Sequence, residues 1–335
     1  MMEAKNKEVI GNITLNLDYY GGEDLYSEGA AEDWLLDLVT RYSEEDYEHV
    51  IQNTRSWNVM YHLCHIRENI VTWLPIGRDA QILEIGAGCG AVTGGLAKLG
   101  AHVDCVELSK KRSQINATRH REFNNIDIIV GNYADIEPNL PQYDVITLIG
   151  VLEYAGSYID SKEPYTDLLK SAARHLAPGG KLIVAIENKF GLKYFAGCKE
   201  DHTGRYFDGL EGYKTTQGVR TFSKGSLVNM FAELSLASKF YYPYPDYKLP
   251  HTIYSDDVLP KEGELNTTLR NFDNDRDVLF DETKVFDSII EEGTFDYFSN
   301  SYLVVLSNKD IYDAMPVVPI FAKYANERKT ELRTA

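Results

Sequence analysis

The stretch QILEIGAGCGAVTGGLAKLG, residues 81–100, places an acid at the end of an apolar run, turns through three glycines and opens into a helix-like segment. Glycines in a strand-to-helix turn serve positive φ or a ligand that touches the backbone. The helix that follows offers free N–H groups to an anion. The spacing Gly86-x-Gly88-x-x-Ala91, with Glu107 about twenty residues on, fits the dinucleotide fingerprint of a NAD-dependent oxidoreductase. Glu84 argues against that ligand. A carboxylate just before Gly86 repels a pyrophosphate and suits an ammonium group. S-adenosyl-L-methionine carries an ammonium, a sulfonium, a ribose and an adenine but no phosphate. Glu107, closing the next strand, can accept both ribose hydroxyls.

The elements that position these residues alternate in the manner of a parallel α/β sheet. AQILEIG reads as a first strand and AVTGGLAKLG as a helix ended by Gly100. HVDCVEL is a second strand, followed by a helix that Ser109 caps. IDIIVGN, YDVITLIG and KLIVAIEN are the third to fifth strands, with PYTDLLKSAARHL the helix between the last two. Upstream, SEEDYEHVIQNTRSWNVMYHLCHIRENIVTWLP reads as helical, with Ser43 and Asp46 as a capping box variant. Downstream, FSKGSLVNMFAEL is a helix capped by Ser223. KFYYPYPDY and SYLVVLS are two late strands separated by an insertion that holds the helix DETKVFDSIIEEG.

Five motifs therefore stand in order: EIGAGCG, the acid Glu107, GNYAD, GVLEY and LAPGG. Together they resemble class I S-adenosylmethionine-dependent methyltransferases over roughly Gln81 to Asn188. The resemblance implies a Rossmann-like, mostly parallel seven-stranded sheet with helices on both faces. To this it adds an N-terminal helical cap over 1–76, a core over 77–310 with an insertion at about 246–297, and a tail at 311–335. It also implies that Glu84, Gly86, Gly88 and Gly90 line the methionine end, that Glu107 and Leu108 hold the ribose, and that Asn132 and Tyr133 face the adenine. S-adenosyl-L-homocysteine would be the product. Asn132 stands where the family often has Asp, and Glu153 where many relatives carry His.

Methyl transfer is an in-line displacement with a neutral thioether leaving group, so positioning dominates and a base is needed only if the acceptor must lose a proton. Residues flanking the methyl site are expected from the N-terminal part, from Glu153 and Tyr154, and from the stretch ENKFGLKYFAGCKEDHTGRYFDGLEGY. His202 and His251 are the base candidates beside Glu153. Arg67, Tyr154, Arg205 and Tyr206 are candidates to orient the acceptor. The spacing shows no metal-ligand cluster. No Asn-Pro-Pro-Tyr signature follows the fourth strand, which favours oxygen as acceptor. The phrases YHLCHIRENIVTWLPI and IENKFGLKYFAG look like methyltransferases of glycan-assembly or peptide natural-product pathways. With no dedicated base legible, the expectation tilts to a peptide carboxylate, with a sugar hydroxyl as the alternative. A NAD-dependent oxidoreductase and a catalytically silent cofactor-binding module are the remaining readings.

Composition limits the partners. The 335 residues carry a formal net charge of −17, with 44% apolar and 25% charged residues. That charge repels phosphate backbones and disfavours nucleic acid. No run is apolar enough for a bilayer span, and no signal peptide is legible, so the cytoplasm is the expected address. The four scattered cysteines form no C-x-x-C pair, which excludes a disulfide framework or a cysteine zinc site.

Overall fold

The computed structural model describes residues 5–267, 276–308 and 321–325. The chain divides into two compact units, one formed by residues up to Leu148 with Arg174–Lys181, the other by Ile149–Ala173 and the chain from Leu182 on.

The first unit holds β1 (Lys7–Ile10), β2 (Ile13–Tyr19), β3 (Gln81–Ile85), β4 (His102–Glu107), β5 (Ile126–Gly131) and β6 (Tyr143–Ile149). Their order is β1-β2-β5-β4-β3-β6, with β2, β5, β4, β3 and β6 mutually parallel. Ile82, Leu83 and Ile85 of β3 are buried on both faces, as a strand covered by helices on each side requires. The strand order reverses beside β3, so Gly86 and its neighbours emerge where open α/β sheets take ligands. Helix Lys110–Arg119 starts at the Ser109 cap, whose Oγ accepts from the Arg112 N–H at 3.2 Å. Asp24 accepts the next free N–H groups, from Lys110 at 2.7 Å and Lys111 at 3.1 Å. Leu35, Leu38, Val39, Tyr47, Val50, Val59, Leu63 and Ile115 form a core beneath that helix.

The α/β fold with a largely parallel central sheet is as the motifs imply, but the described residues hold eleven strands rather than seven, and the N-terminal region is only partly a helical cap. Residues 5–19 form the hairpin β1–β2, and β2 extends the parallel sheet beside β5. Ile13, Leu15 and Leu17 alternate inward along β2. Asn and Asp between them lower β-propensity and mask that period. The helical stretch is real but broken, into Ala30–Arg41, Tyr47–Thr54, Trp57–Leu63 and the 3-10 turn His65–Ile70. Asp46 accepts from the Ser43 N–H at 3.0 Å, which completes the expected capping box.

Strand β7 (Leu176–Glu187) ends in the second unit, where β8 (Ala237–Tyr244), β9 (Thr252–Ser255), β10 (Ser301–Ser307) and β11 (Ala322–Lys323) follow in the order β7-β10-β8-β9-β11. Strand β10 runs antiparallel to β8 with Leu303 opposite Tyr241. The insertion contains helix Glu282–Glu291, as read, and also β9, which pairs with β8 and with β11. Most of the expected tail lies outside the described residues. Among the described residues no helix is long and apolar enough to cross a membrane.

Candidate functional site

In the first unit β3 ends in a turn where Gly86, Gly88 and Gly90 all take positive φ, at 71°, 54° and 78°. These are left-handed values that side chains resist. Gly90 also answers to packing. A Cβ there would stand 2.3 Å from Asn116 Oδ1 and 2.8 Å from His120 Cε1. Gly88 differs, since its Cβ direction is open to 4 Å. Its N–H donates to Glu107 Oε2 at 2.8 Å, and the Ser109 N–H donates to Oε1 at 2.9 Å. Glu107 is thus a buried carboxylate held by two backbone donors at the rim of an open glycine turn. Burial still raises its carboxyl above the usual range.

Glu84 is buried as well, and Thr93 Oγ1 donates to its Oε2 at 2.6 Å. Asn116 Nδ2 in turn donates to Thr93 at 3.1 Å. Burial, with Glu107 adding repulsion, pushes the Glu84 carboxyl up to about 7. Thr93 opens helix Thr93–Lys98, so the helix start that a diphosphate would occupy already serves a carboxylate. Two buried acids beside a glycine with an open Cβ direction suit a cationic ligand with a diol better than a diphosphate. Arg67, expected to orient an acceptor, lies instead in this unit. It is buried, with its guanidinium 4.5 Å above the Tyr61 ring and close enough to Glu84 to lower its pKa. Asn132 Oδ1 accepts from the Ala134 N–H at 3.1 Å and caps the short helix Tyr133–Ile136, so half of its acceptor capacity is in use. Leu108 and Tyr133 are half-buried.

The second unit gathers a different group. The His202 side chain is 6% exposed, with Nδ1 2.9 Å from Glu200 Oε1. Its Nε2 lies 3.5 Å from Glu153 Oε1 and 3.8 Å from Glu187 Oε2. Tyr154 packs edge-on against the imidazole at 5.3 Å. Burial alone would lower the imidazole pKa, but Glu187, Glu153 and Glu200 hold it well above the ordinary value. His202 is therefore a cation at neutral pH rather than the free base expected of it. Burial raises the Glu153 carboxyl, and its Oε2 has no hydrogen-bond partner. Lys248 Nζ lies 2.8 Å from Glu187 Oε1 and 2.8 Å from Asp201, while Lys193 bridges Asp201 at 2.8 Å and Asp246 at 2.9 Å.

Among the acceptor-side candidates the structure joins Glu153, Tyr154 and His202 but not the others. His251 is exposed in the turn between β8 and β9, where its backbone accepts from Tyr324. Arg205 is exposed and donates to Thr215 Oγ1 at 2.8 Å, and Tyr206 is also exposed. No metal-ligand group is expected from the spacing, but folding brings candidate side chains together among the described residues. Two sets of side chains that could hold an ion are present, His102 with Asp104 and Asp127, and Glu153 with Glu187 and His202. His102 and Asp104 share β4, but each set is completed from another segment, so spacing alone does not betray either. Sequence reading passed over Glu187, Glu200, Asp201 and Lys248. Glu187 alone left a signal, an acid ending an apolar strand just as Glu84 and Glu107 do. A cleft of about 240 Å³ in this unit is lined by Lys189, Tyr213, Arg220 and Phe222.

With this geometry in hand, comparison with known proteins gives a consistent answer. Residues 83–182 match a family described as "Methyltransferase domain". The demethylmenaquinone methyltransferase of Tropheryma whipplei is 30% identical over 121 residues, covering 36% of this chain and 47% of that protein. The ubiquinone biosynthesis O-methyltransferase of Xanthomonas euvesicatoria is 27% identical over 140 residues, covering 38% and 56%. The chain thus spans about half the length of the curated relatives it matches. The CcbJ methyltransferase structure from Streptomyces caelestis is similar at 16% identity and a TM-score of 0.46, with 84% of this chain and 98% of that one covered. The matched segment contains the glycine turn, Glu84 and Glu107, and the chain is accordingly one with a class I, S-adenosylmethionine-dependent methyltransferase domain.

Proposed function

We propose that the protein transfers the methyl group of S-adenosyl-L-methionine to a hydroxyl oxygen of a large polar acceptor, a sugar hydroxyl in the first place. The observation that carries this reading is Glu153, a fully buried carboxylate with a raised pKa and an Oε2 that no group donates to. A carboxylate in that condition is suited to take a proton near neutral pH. A neutral hydroxyl has such a proton to give. A carboxylate acceptor has none, and its charge would join the buried acids Glu153, Glu187 and Glu200, so the tilt toward a peptide C-terminus gives way. The Xanthomonas relative is by name an O-methyltransferase.

In this reading Glu84 holds the donor's ammonium, Arg67 its carboxylate and Glu107 its ribose. The turn amides at Gly86, Gly88 and Gly90 lie along the chain of the donor, with Leu108 beside the ribose and Asn132 and Tyr133 at the adenine end. The donor supplies an electrophilic methyl on a sulfonium. The acceptor O–H proton passes to Glu153, an O–C bond forms as the C–S bond breaks, and the electron pair stays on sulfur as the neutral thioether. His202, fixed by Glu200, holds Glu153 in place. Lys189 and Arg220 lining their cleft beside Tyr213 and Phe222 suit an acceptor with a ring and an acidic group.

The test is transfer of labelled methyl to a panel of glycosides and of peptides with free C-termini. Label in an alkali-stable ether on the glycosides supports the reading. Label in base-labile ester on the peptides overturns it, and no transfer together with firm S-adenosyl-L-homocysteine binding returns the silent-module reading. The donor side carries its own prediction. With Glu84 titrating at about 7 in the free protein, an ammonium placed beside it favours the ionised form, so binding releases a proton. Affinity for S-adenosyl-L-homocysteine then rises from about pH 6 to about pH 8 and levels above, where Glu84 is already ionised. Calorimetry across that range should show the rise in the natural protein and lose it in Glu84→Gln.

A further inference from the structure

We infer that Glu153, Glu187 and His202 bind one divalent cation of the Mn²⁺ type. One carboxylate oxygen from each glutamate and an imidazole nitrogen lie within 4.8 Å of one another. Donors held about 2.1 Å from a common ion stand about 3.0–3.4 Å apart. The measured 3.5 and 3.8 Å from Nε2 to the two carboxylates are close to that spacing. Small side-chain rotations complete the set, and the ion takes the place of the Nε2 proton of His202, which is released to solvent. One imidazole with two carboxylates is a mixed nitrogen and oxygen donor group that Mn²⁺ accepts readily.

Three further observations point to a ligand rather than to a simple ion-pair network. Glu200 accepts from Nδ1 at 2.9 Å, which directs Nε2 at the two glutamates in the carboxylate–histidine–metal manner. Glu153 Oε2 and both Glu187 oxygens are buried without an aligned hydrogen-bond donor, although Lys248 Nζ approaches Oε1 of Glu187. Buried carboxylates left in that state are costly unless a cation meets them. The charges also fail to balance. Glu153, Glu187, Glu200, Asp201 and Asp246 face only Lys193, Lys248 and His202 in this network, five acids against three groups that can be positive. The other set, His102 with Asp104 and Asp127, lacks these marks. Tyr143 donates to Asp104 at 2.9 Å, and the His102 side chain is 34% exposed.

The inference goes beyond the hydroxyl reading and is measured without donor or acceptor. Where both hold, Glu153 meets the cation through Oε1 and keeps Oε2 for the acceptor proton, and the cation takes the acceptor oxygen as a further ligand, which selects acceptors with two neighbouring oxygens able to chelate. The full chain, stripped with EDTA, is titrated with MnCl₂ while free Mn²⁺ is followed by its electron paramagnetic resonance signal. One Mn²⁺ per chain is expected, weakened at least about tenfold in Glu187→Gln and in His202→Ala and unchanged in His102→Ala. The thermal midpoint of the natural protein should climb with MnCl₂ and that of Glu187→Gln should not. Circular dichroism checks each variant, and Glu153→Gln takes the place of any that does not fold. No saturable binding by the natural protein, or binding that survives the cluster substitutions, overturns the site. Ether formation that persists in EDTA alongside absent Mn²⁺ binding sinks this inference alone, and Mn²⁺ binding without any transfer sinks only the hydroxyl reading.

Discussion

Glu153→Gln lowers kcat on a hydroxyl acceptor by about 10²- to 10⁴-fold, the range for losing a positioned general base, while S-adenosyl-L-homocysteine binds as before. Glutamine keeps the size of the side chain and an oxygen facing His202, so packing in this buried place is preserved and only proton capture is lost. Glu84 and Glu107, which this reading gives to the donor, belong to the other compact unit. The pH profile makes the role specific. Burial raises the Glu153 carboxyl, so it must lose its proton before it can act, and kcat of the natural protein should climb with pH through a carboxylate pKa lying above the ordinary range. That limb should vanish in the variant. A loss confined to donor affinity, or a pH limb that survives the substitution, would mean that Glu153 only packs.

The donor half of this molecule was legible because its chemistry is local. Glu84, the three glycines and Glu107 sit within one strand-turn-helix-strand segment, so spacing alone conveys both their proximity and their charge. The acceptor half is assembled from distant places. Glu153 follows β6, Glu187 ends β7, Glu200 and His202 lie in the loop beyond, and Lys248 comes from the turn after β8. No spacing links them, and each alone is an ordinary polar residue. Charge state was equally hidden. His202 reads as a base in isolation, yet the three carboxylates around it hold its pKa well above the ordinary value. The hairpin β1–β2 escaped for another reason, since its inward Ile and Leu alternate with Asn and Asp that read as loop. Arg67 shows the reverse error. Its surrounding helical stretch suggested a face toward an acceptor, whereas tertiary packing buries it beside Tyr61.

Lys193→Met should destabilise the fold by about 3–5 kcal/mol, the cost of leaving buried charges without their partner. Lys193 is 3% exposed and lies between Asp201 and Asp246 at 2.8 and 2.9 Å. Methionine fills much the same volume, so the loss measures charge rather than a cavity. An exposed pair offers the contrast. Lys170 reaches Glu233 at 2.8 Å with both side chains in solvent, and Lys170→Met should leave the urea midpoint close to that of the natural protein. The pH dependence has a definite sign. Burial would raise the Asp201 carboxyl, but Lys193 and Lys248 hold it well below its usual value. The stabilisation it provides is therefore present above the unfolded pKa and is lost only as pH falls through the depressed folded value. Without Lys193 the pKa of Asp201 moves up, and acidification from neutral pH neutralises the stranded carboxylate. The gap between natural protein and variant in urea should accordingly narrow as pH falls from about 7 to about 5. Adding Asp246→Asn to Lys193→Met should recover part of the loss, because Asp246 has lost its lysine there while Asp201 keeps Lys248 at 2.8 Å. A gap that holds constant with pH and a double variant no better than the single one would show that Lys193 stabilises through the packing of its stem and not through its charge.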